Sequence, residues 1–346
     1  MIPFRFENDS LYLLDQRALP HDEIWIQNKN EDEVINSIKL MVVRGAPLIG
    51  FSGLFALALW IKNQKIILKD ELIKTISKIQ LARPTAVNLV FELERVKPKL
   101  FEMCMRQQST QDFYQYVLKD CQNQINLLKE KNLNMAKAAC ADLKSIYGDK
   151  KLNILTHCNT GELACGCIGT ALGAIFYASQ LKMVNNVWVD ETRPYLQGSR
   201  LTAYELLKEE IPHAIVVEGA AHYLASEKKI DAIFVGADRI AANGDTANKV
   251  GTANLALISH YYKIPFYVLA PLSSFDFSIM SGSEIHVEMR DPEEILSYHG
   301  KKIAPHQSAA YNPCFDISPG SLIYGIISER GLIKNPSIEN LKEWSV

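Results

Sequence analysis

The 346-residue sequence predicts an α/β protein in which a smaller, mainly helical N-terminal part precedes a doubly wound parallel sheet. Three observations predict it. Apolar residues recur at three-and-four spacing through the first third of the chain. From about residue 152 onward, short β-rich runs alternate with helical ones. The predicted strands also end in polar or reactive residues, as parallel strands do where they face a ligand crevice.

In chain order, the helical patterns are "DEVINSIKLMVV", "LIGFSGLFALALWIKN", "DELIKTISKIQLA" and "RPTAVNLVFELERV", the last with Pro84 near its start. "DFYQYVLKDCQNQINLLKEKNLNMAKAACADL" is one long helix, and "SIYGDKK" is the polar turn after it. Five strands follow: "LNILTHC", "NNVWVDETRP", "HAIVVEG", "DAIFVGADRI" and "IPFYVLAP". Between them lie helical runs, the first of which is the small-residue stretch after Cys158. The strand ends bring forward His157 and Cys158, Asp190 and Glu191, Glu218, Asp238 and Arg239, and Pro271 with Ser273.

Composition excludes several classes. A hydrophobic share of 48% and a charged share of 22% suit a folded globular chain. The 37 basic and 39 acidic residues nearly cancel, without a block of like charge, so nucleic acid and polybasic membrane contacts are not expected. The apolar stretch 48–61 is too short to span a bilayer, and the N-terminus does not read as a secretory signal. Seven irregularly spaced cysteines do not form a disulfide framework, which points to the reducing cytoplasm.

"THCNTGELACGCIGTALGA" holds three of those cysteines. Cys165 and Cys167 lack the second ligand pair of a zinc site and the spacing of a redox motif, and they read as small fillers of a helix beginning near Asn159. Cys158 stands apart at the strand-to-helix junction, where free N–H groups can stabilise a thiolate or an anion. In "GADRIAANGDTANKVGT", Asp238 follows a strand, and a carboxyl partly buried there could act as general acid or base. Asn248 and Lys249 are expected to open the next helix and grip a phosphate. Arg44, before Gly45, Ala46 and Pro47, and Arg83, before Pro84, form a candidate phosphate clamp. Gln197 supplies a loop amide. Neither a Walker A loop nor a G-x-G-x-x-G follows the first strand, so no nucleotide cofactor is indicated.

With these residues in view, the sequence resembles the methylthioribose-1-phosphate isomerase family. The strings that carry the resemblance are "RGAPLIG", "RPTAVNL", "ILTHCNTG", "GTALGAI", "VDETRPYLQGSRLTAYEL", "GADRIAANGDTANKVGT" and "SGSEIHVEMRDPEEI". The resemblance implies a helical domain over residues 1–130, a Rossmann-like catalytic domain over 131–346, and a homodimer. It matches Cys158 and Asp238 to the catalytic pair, and Arg44, Gly45, Ala46, Arg83, Gln197, Asn248 and Lys249 to substrate-binding positions.

The implied reaction is the isomerisation of 5-methylthioribose 1-phosphate to the ribulose 1-phosphate, in methionine salvage, with no metal or other cofactor. Asp238 would help to open the ring. Hydrogen would then pass from C2 to C1, through an enediolate with Cys158 as acid and base, or as a hydride with Cys158 stabilising charge. Ala220 and His222 in "EGAAHY" depart from the family's usual residues, so a 5-deoxyribose 1-phosphate is the alternative substrate. A non-catalytic, sugar-phosphate-sensing regulatory subunit is the other alternative. His222 itself reads as a wall or surface residue.

Overall fold

The computed structural model describes every residue of the chain except Thr85, His299 and Val346. Thr85, inside the "RPTAVNL" string, thus lies outside the described residues. The chain divides into two compact units, one of residues 1–130 with 162–169, the other of 131–161 with 170–346.

The first unit opens with an antiparallel sheet that the helical reading missed: β1 (Phe4–Glu7), β2 (Ser10–Leu14) and β3 (Trp25–Asn28). Its strands run over only four or five residues each, and only β1 alternates in burial, too little to outweigh the helical patterns beside it. Leu11 and Leu13 point into the core from the middle strand.

Four helices follow: α1 (Glu31–Lys39), α2 (Ala46–Lys62), α3 (Lys69–Gln80) and α4 (Val87–Met105). Asn30 caps α1 by accepting from the Glu33 N–H. Helix α2 is apolar on every side and buried from Leu48 to Ile61, which makes it the centre of the unit. Its Gly53 has no side chain because Leu89 of α4 occupies the space where a Cβ would stand. Burial of each such leucine contributes about 1.5–3 kcal/mol. Among the described residues, no helix is long and apolar enough to cross a membrane.

The long α5 (Thr110–Tyr147) carries the boundary between the units. After it, β4 (Leu152–Thr156) starts the second unit. The small-residue run that follows is not one helix. It holds only α6 (Glu162–Cys165), then breaks at Gly166, whose φ is +73°, and resumes as α7 (Ala171–Gln180). Cys167 therefore lies outside any helix, and both Cys165 and Cys167 are buried in the core of the first unit.

The sheet continues with β5 (Val184–Asp190), α8 (Ala203–Lys208), β6 (His213–Val216), α9 (Ala221–Ser226) and β7 (Ala232–Val235). Next come β8 (Arg239–Ala241), β9 (Thr246–Lys249), α10 (Thr252–Tyr262) and β10 (Phe266–Leu269). The rest is β11 (Phe275–Asp276), α11 (Glu293–Leu296), the hairpin β12 (Ser297–Tyr298) and β13 (Lys301–Lys302), β14 (Phe315–Ser318), β15 (Gly325–Ser328), β16 (Gly331–Lys334) and α12 (Ile338–Leu341).

Among the described residues the large sheet has the order β16-β15-β10-β7-β4-β5-β6. It is parallel except for β16, which returns antiparallel along the edge. This bears out the doubly wound reading and adds β15 and β16. β7 and β10 are buried at every residue, as strands covered on both faces must be. One face packs on α7 and the end of α5, through Met135, Ala139 and Leu172. The other packs on α9 and α10, through Leu224, Leu255 and Ala256. Because the strands run the same way, β4, β5, β6, β7 and β10 all end on one edge of the sheet.

Candidate active site

Beyond the end of β4 the chain turns sharply. His157 is fully buried, and Cys158 adopts φ +61°, a left-handed conformation that costs a side-chain-bearing residue energy. Its surroundings hold it there. The Cys158 N–H donates to Thr192 Oγ1 at 2.9 Å, and Thr192 in turn donates to the Asp190 carbonyl at 3.0 Å. Thr202 Oγ1 donates to the Cys158 carbonyl at 2.6 Å. Asn159 Nδ2 donates to the buried Glu205 carboxylate at 2.6 Å. The thiol-bearing residue is thus tied through its backbone to the ends of β5 and α8, and its side chain is half-buried.

Lys249 faces the same region. Asn248 and Lys249 do not open a helix, as the spacing had suggested; they end β9, which pairs with β8 and β14. The reason is the turn at Gly244, with φ +86°, which folds β8 and β9 into a hairpin before the helix can begin. Helix α10 starts only at Thr252. Asn248 is buried and donates to Thr252 Oγ1 at 3.0 Å.

The Lys249 ammonium donates to the carbonyl of Cys314 at 3.1 Å and to its sulfur at 3.0 Å, and lies 5.1 Å from the centre of the Phe315 ring. Burial works against this cation. The charges of Cys158, Cys314 and Asp238 nevertheless push its pKa above the usual lysine value. The Lys249 ammonium therefore feels the charges of both Cys158 and Asp238, the two expected catalytic groups, within the second unit.

Asp238 differs from expectation in one respect. It is exposed rather than partly buried, because β7 has already ended at Val235 and Asp238 lies in the link to β8. Its N–H donates to the Ala247 carbonyl at 2.9 Å, which fixes the backbone of that link to β9. Gln197 is buried just before a π-helical turn at Gly198–Thr202, and its side-chain carbonyl has no hydrogen-bond partner among the described residues.

Arg44, Gly45, Ala46 and Arg83 belong to the first unit. Arg44 is buried, and Gly45, at φ +87°, turns the chain into α2, with Pro47 in the first turn. A Cβ at Gly45 would strike the Ala164 backbone, so only glycine fits. Ala46 is exposed at the helix start. Arg83 is half-buried, but α4 starts at Val87, so Pro84 precedes the helix instead of opening it.

His222 lies exposed on α9, with Nε2 at 3.1 Å from the Tyr262 hydroxyl. Among the described residues no group of three or more His, Cys, Asp or Glu side chains is arranged to hold a metal ion. Two residues that hold Lys249 and the turn after it escaped the sequence reading. Cys314 and Asp316 sit on or beside β14, some 65 positions from the residues they touch, and nothing local in "YNPCFDIS" marks them.

Comparison with known proteins gives a consistent result. Residues 42–335 match the model of the Initiation factor 2 subunit family. The chain is 42% identical over 342 residues to the methylthioribose-1-phosphate isomerase of Caldicellulosiruptor saccharolyticus, covering 98% of each. It is 41% identical over 344 residues to that of Thermus thermophilus, covering 99% of this chain and 97% of the relative. Among solved structures, 5-methylthioribose 1-phosphate isomerase from Pyrococcus horikoshii superposes with TM-score 0.91 at 36% identity, covering 99% of this chain and 95% of that one. The delta subunit of translation initiation factor eIF-2B from A. fulgidus gives 0.88 at 30% identity, with full coverage of both chains.

Proposed function

The chain belongs to the Initiation factor 2 subunit family, and we propose that within it the protein is an aldose-ketose isomerase that converts 5-methylthioribose 1-phosphate to 5-methylthioribulose 1-phosphate. Whole-length likeness to isomerases carries the reading of the reaction. The observation that supports the assignment of roles is Lys249, a buried cation seated on Cys314 whose pKa is raised by the charges of Cys158, Cys314 and Asp238.

In this reading Asp238 gives a proton to the ring oxygen as the bond from that oxygen to C1 breaks. Its exposed carboxyl can be reloaded from solvent. Hydrogen moves from C2 to C1 beside the Cys158 thiol, and the C2 hydroxyl loses its proton as the ketone forms. Lys249 and Asn248 hold the substrate in the second unit, and the buried carbonyl of Gln197 accepts from a sugar hydroxyl. Arg44, the Gly45–Ala46 turn and Arg83 are, within the first unit taken by itself, the candidate phosphate-binding residues. The protein works as a homodimer in the cytoplasm.

The deciding experiment incubates the purified protein with methylthioribose, 5-deoxyribose and ribose 1-phosphates in parallel and follows the C1 and C2 protons by NMR. Conversion of the first, lost in Cys158→Ser and in Asp238→Asn while both variants stay folded, is the expected result. Turnover of none of the three overturns the enzyme assignment. Deuterium placed at C2 assigns the route, since a hydride carries it to C1 and an enediolate loses it to water. Light scattering tests the homodimer.

A further inference from the structure

One buried imidazole joins the strand end that carries Cys158 to the turn that follows Lys249. His157 Nδ1 lies 3.1 Å from Asp190 Oδ2, and Nε2 lies 2.9 Å from the Val250 carbonyl oxygen. Both side chains are wholly buried. A carbonyl oxygen only accepts, so Nε2 carries a proton; burial pushes the Asp190 carboxyl above the usual aspartate range against the hydrogen bond and charge of His157, and in its ionised form that carboxyl too only accepts, so that Nδ1 carries a proton as well. The ring is then a cation enclosed in protein. Burial favours its neutral form, but the hydrogen bond and charge of Asp190, the charge of Glu218 and the Val250 carbonyl outweigh this and hold its pKa above the usual histidine value.

The surrounding chain is built to this ring. Gly251, at φ +105°, follows Val250, and a Cβ there would stand 2.8 Å from His157 Cε1. Its N–H donates to Asp316 Oδ2 at 2.7 Å, and the Ala253 N–H donates to Asp316 Oδ1 at 3.0 Å. Asp316, reaching over from β14, is a further carboxylate here: burial pushes its pKa up, and the two backbone N–H groups and the charge of His157 oppose this. Asp190, His157, the Val250–Gly251 turn and Asp316 therefore form one chain of contacts running from β5 to β14. Cys158 is attached at one link and Lys249 precedes another by a single residue.

We propose that His157 is a positioning residue, whose two N–H groups fix Cys158 against the Lys249–Gly251 turn so that thiol and ammonium meet the substrate in register. The proposal rests on the reading of Cys158 and Lys249 as active-site groups. A shift of about 1 Å between such groups costs on the order of a hundredfold in rate. Nothing in the ring's own chemistry need take part in the reaction.

The test uses the full-length protein with ¹⁵N-labelled histidine. The expected spectrum shows both nitrogens of His157 protonated at pH 7.5; a neutral tautomer at that pH overturns the proposal. Asp190→Asn removes the anion while keeping the shape. It is expected to lower kcat about 10- to 100-fold with KM changed less than about threefold, and to change the alkylation rate of Cys158 by iodoacetamide about tenfold. Circular dichroism at the assay temperature reports the folded fraction. Loss of activity only in step with that fraction, or kcat and alkylation both unchanged, overturns it. If the unmodified protein turns over no pentose 1-phosphate, the enzyme reading falls alone, because the nitrogen spectrum and the alkylation rate still decide this one.

Discussion

The ammonium of Lys249 donates to the sulfur of Cys314 at 3.0 Å, so the cation that feels the charge of Cys158 hydrogen-bonds to a second thiol. A carboxylate partner would neutralise the lysine and weaken its pull on a phosphate or a thiolate. A sulfur, a carbonyl and an aromatic face hold it in place and leave its charge available.

Lys249→Met removes that charge. Since Cys158 raises the pKa of Lys249, the coupling acts equally in reverse, and loss of the cation must raise the pKa of the Cys158 thiol. The alkylation-rate profile of Cys158 is expected to move to higher pH, and kcat/KM to fall by roughly a hundredfold, about 2.7 kcal/mol. Iodoacetamide labelling followed by mass spectrometry across pH checks the first, steady-state kinetics the second.

Cys314→Ala keeps the carbonyl contact to Lys249 and deletes only the sulfur. One hydrogen bond to a charged group contributes about 1.5–3 kcal/mol, so kcat/KM is expected to fall by about 10- to 150-fold at most, with Cys314→Ser restoring much of it. Equal activity in all three proteins would show that the sulfur does not seat the lysine.

Gly251→Ala combines an unfavourable left-handed backbone with a Cβ at 2.8 Å from the buried His157 ring. A loss of about 1–3 kcal/mol is expected from the backbone alone, with a further cost for the contact. Urea unfolding monitored by tryptophan fluorescence measures it.

Histidine linkage gives a pH signature. His157 has a folded-state pKa above its unfolded value of about 6.5, so its contribution to stability is fully present below that value. It is lost as pH rises through the folded-state pKa. Urea midpoints are expected to decline from about pH 6.5 upward in the unmodified protein, and to decline less in Asp190→Asn, where the ring has lost its anion. Identical slopes in the two proteins would count against a buried imidazolium.

Much of this was legible in the sequence, for physical reasons. The strands around β7 and β10 announce themselves because parallel strands covered on both faces are almost wholly apolar. Helix α2 does so because fourteen consecutive buried positions need apolar side chains. Cys158 was visible from its place after β4. The hairpin of β8 and β9 was not. Its strands are three and four residues long, and "TANK" has no β-branched alternation, so the short distance to α10 made Lys249 look helical. Cys314 and Asp316 were invisible for a different reason: their importance comes from pairing β14 with β9 across some 65 residues, and no local pattern encodes a tertiary partner.

The eight residues from Glu162 to Gly169 leave the second unit directly after the Cys158 turn and are counted with the first. Leu163, Ala164, Cys165 and Cys167 within them are buried there. Three chain crossings, at 130/131, 161/162 and 169/170, mean that no single cut can liberate either half whole. A polypeptide starting at residue 131 would carry a greasy octapeptide loop with nowhere to go, inserted a few residues after Cys158. Dissection of this protein into halves is thus expected to give sticky, inactive material even where each sheet and helix bundle could otherwise stand alone.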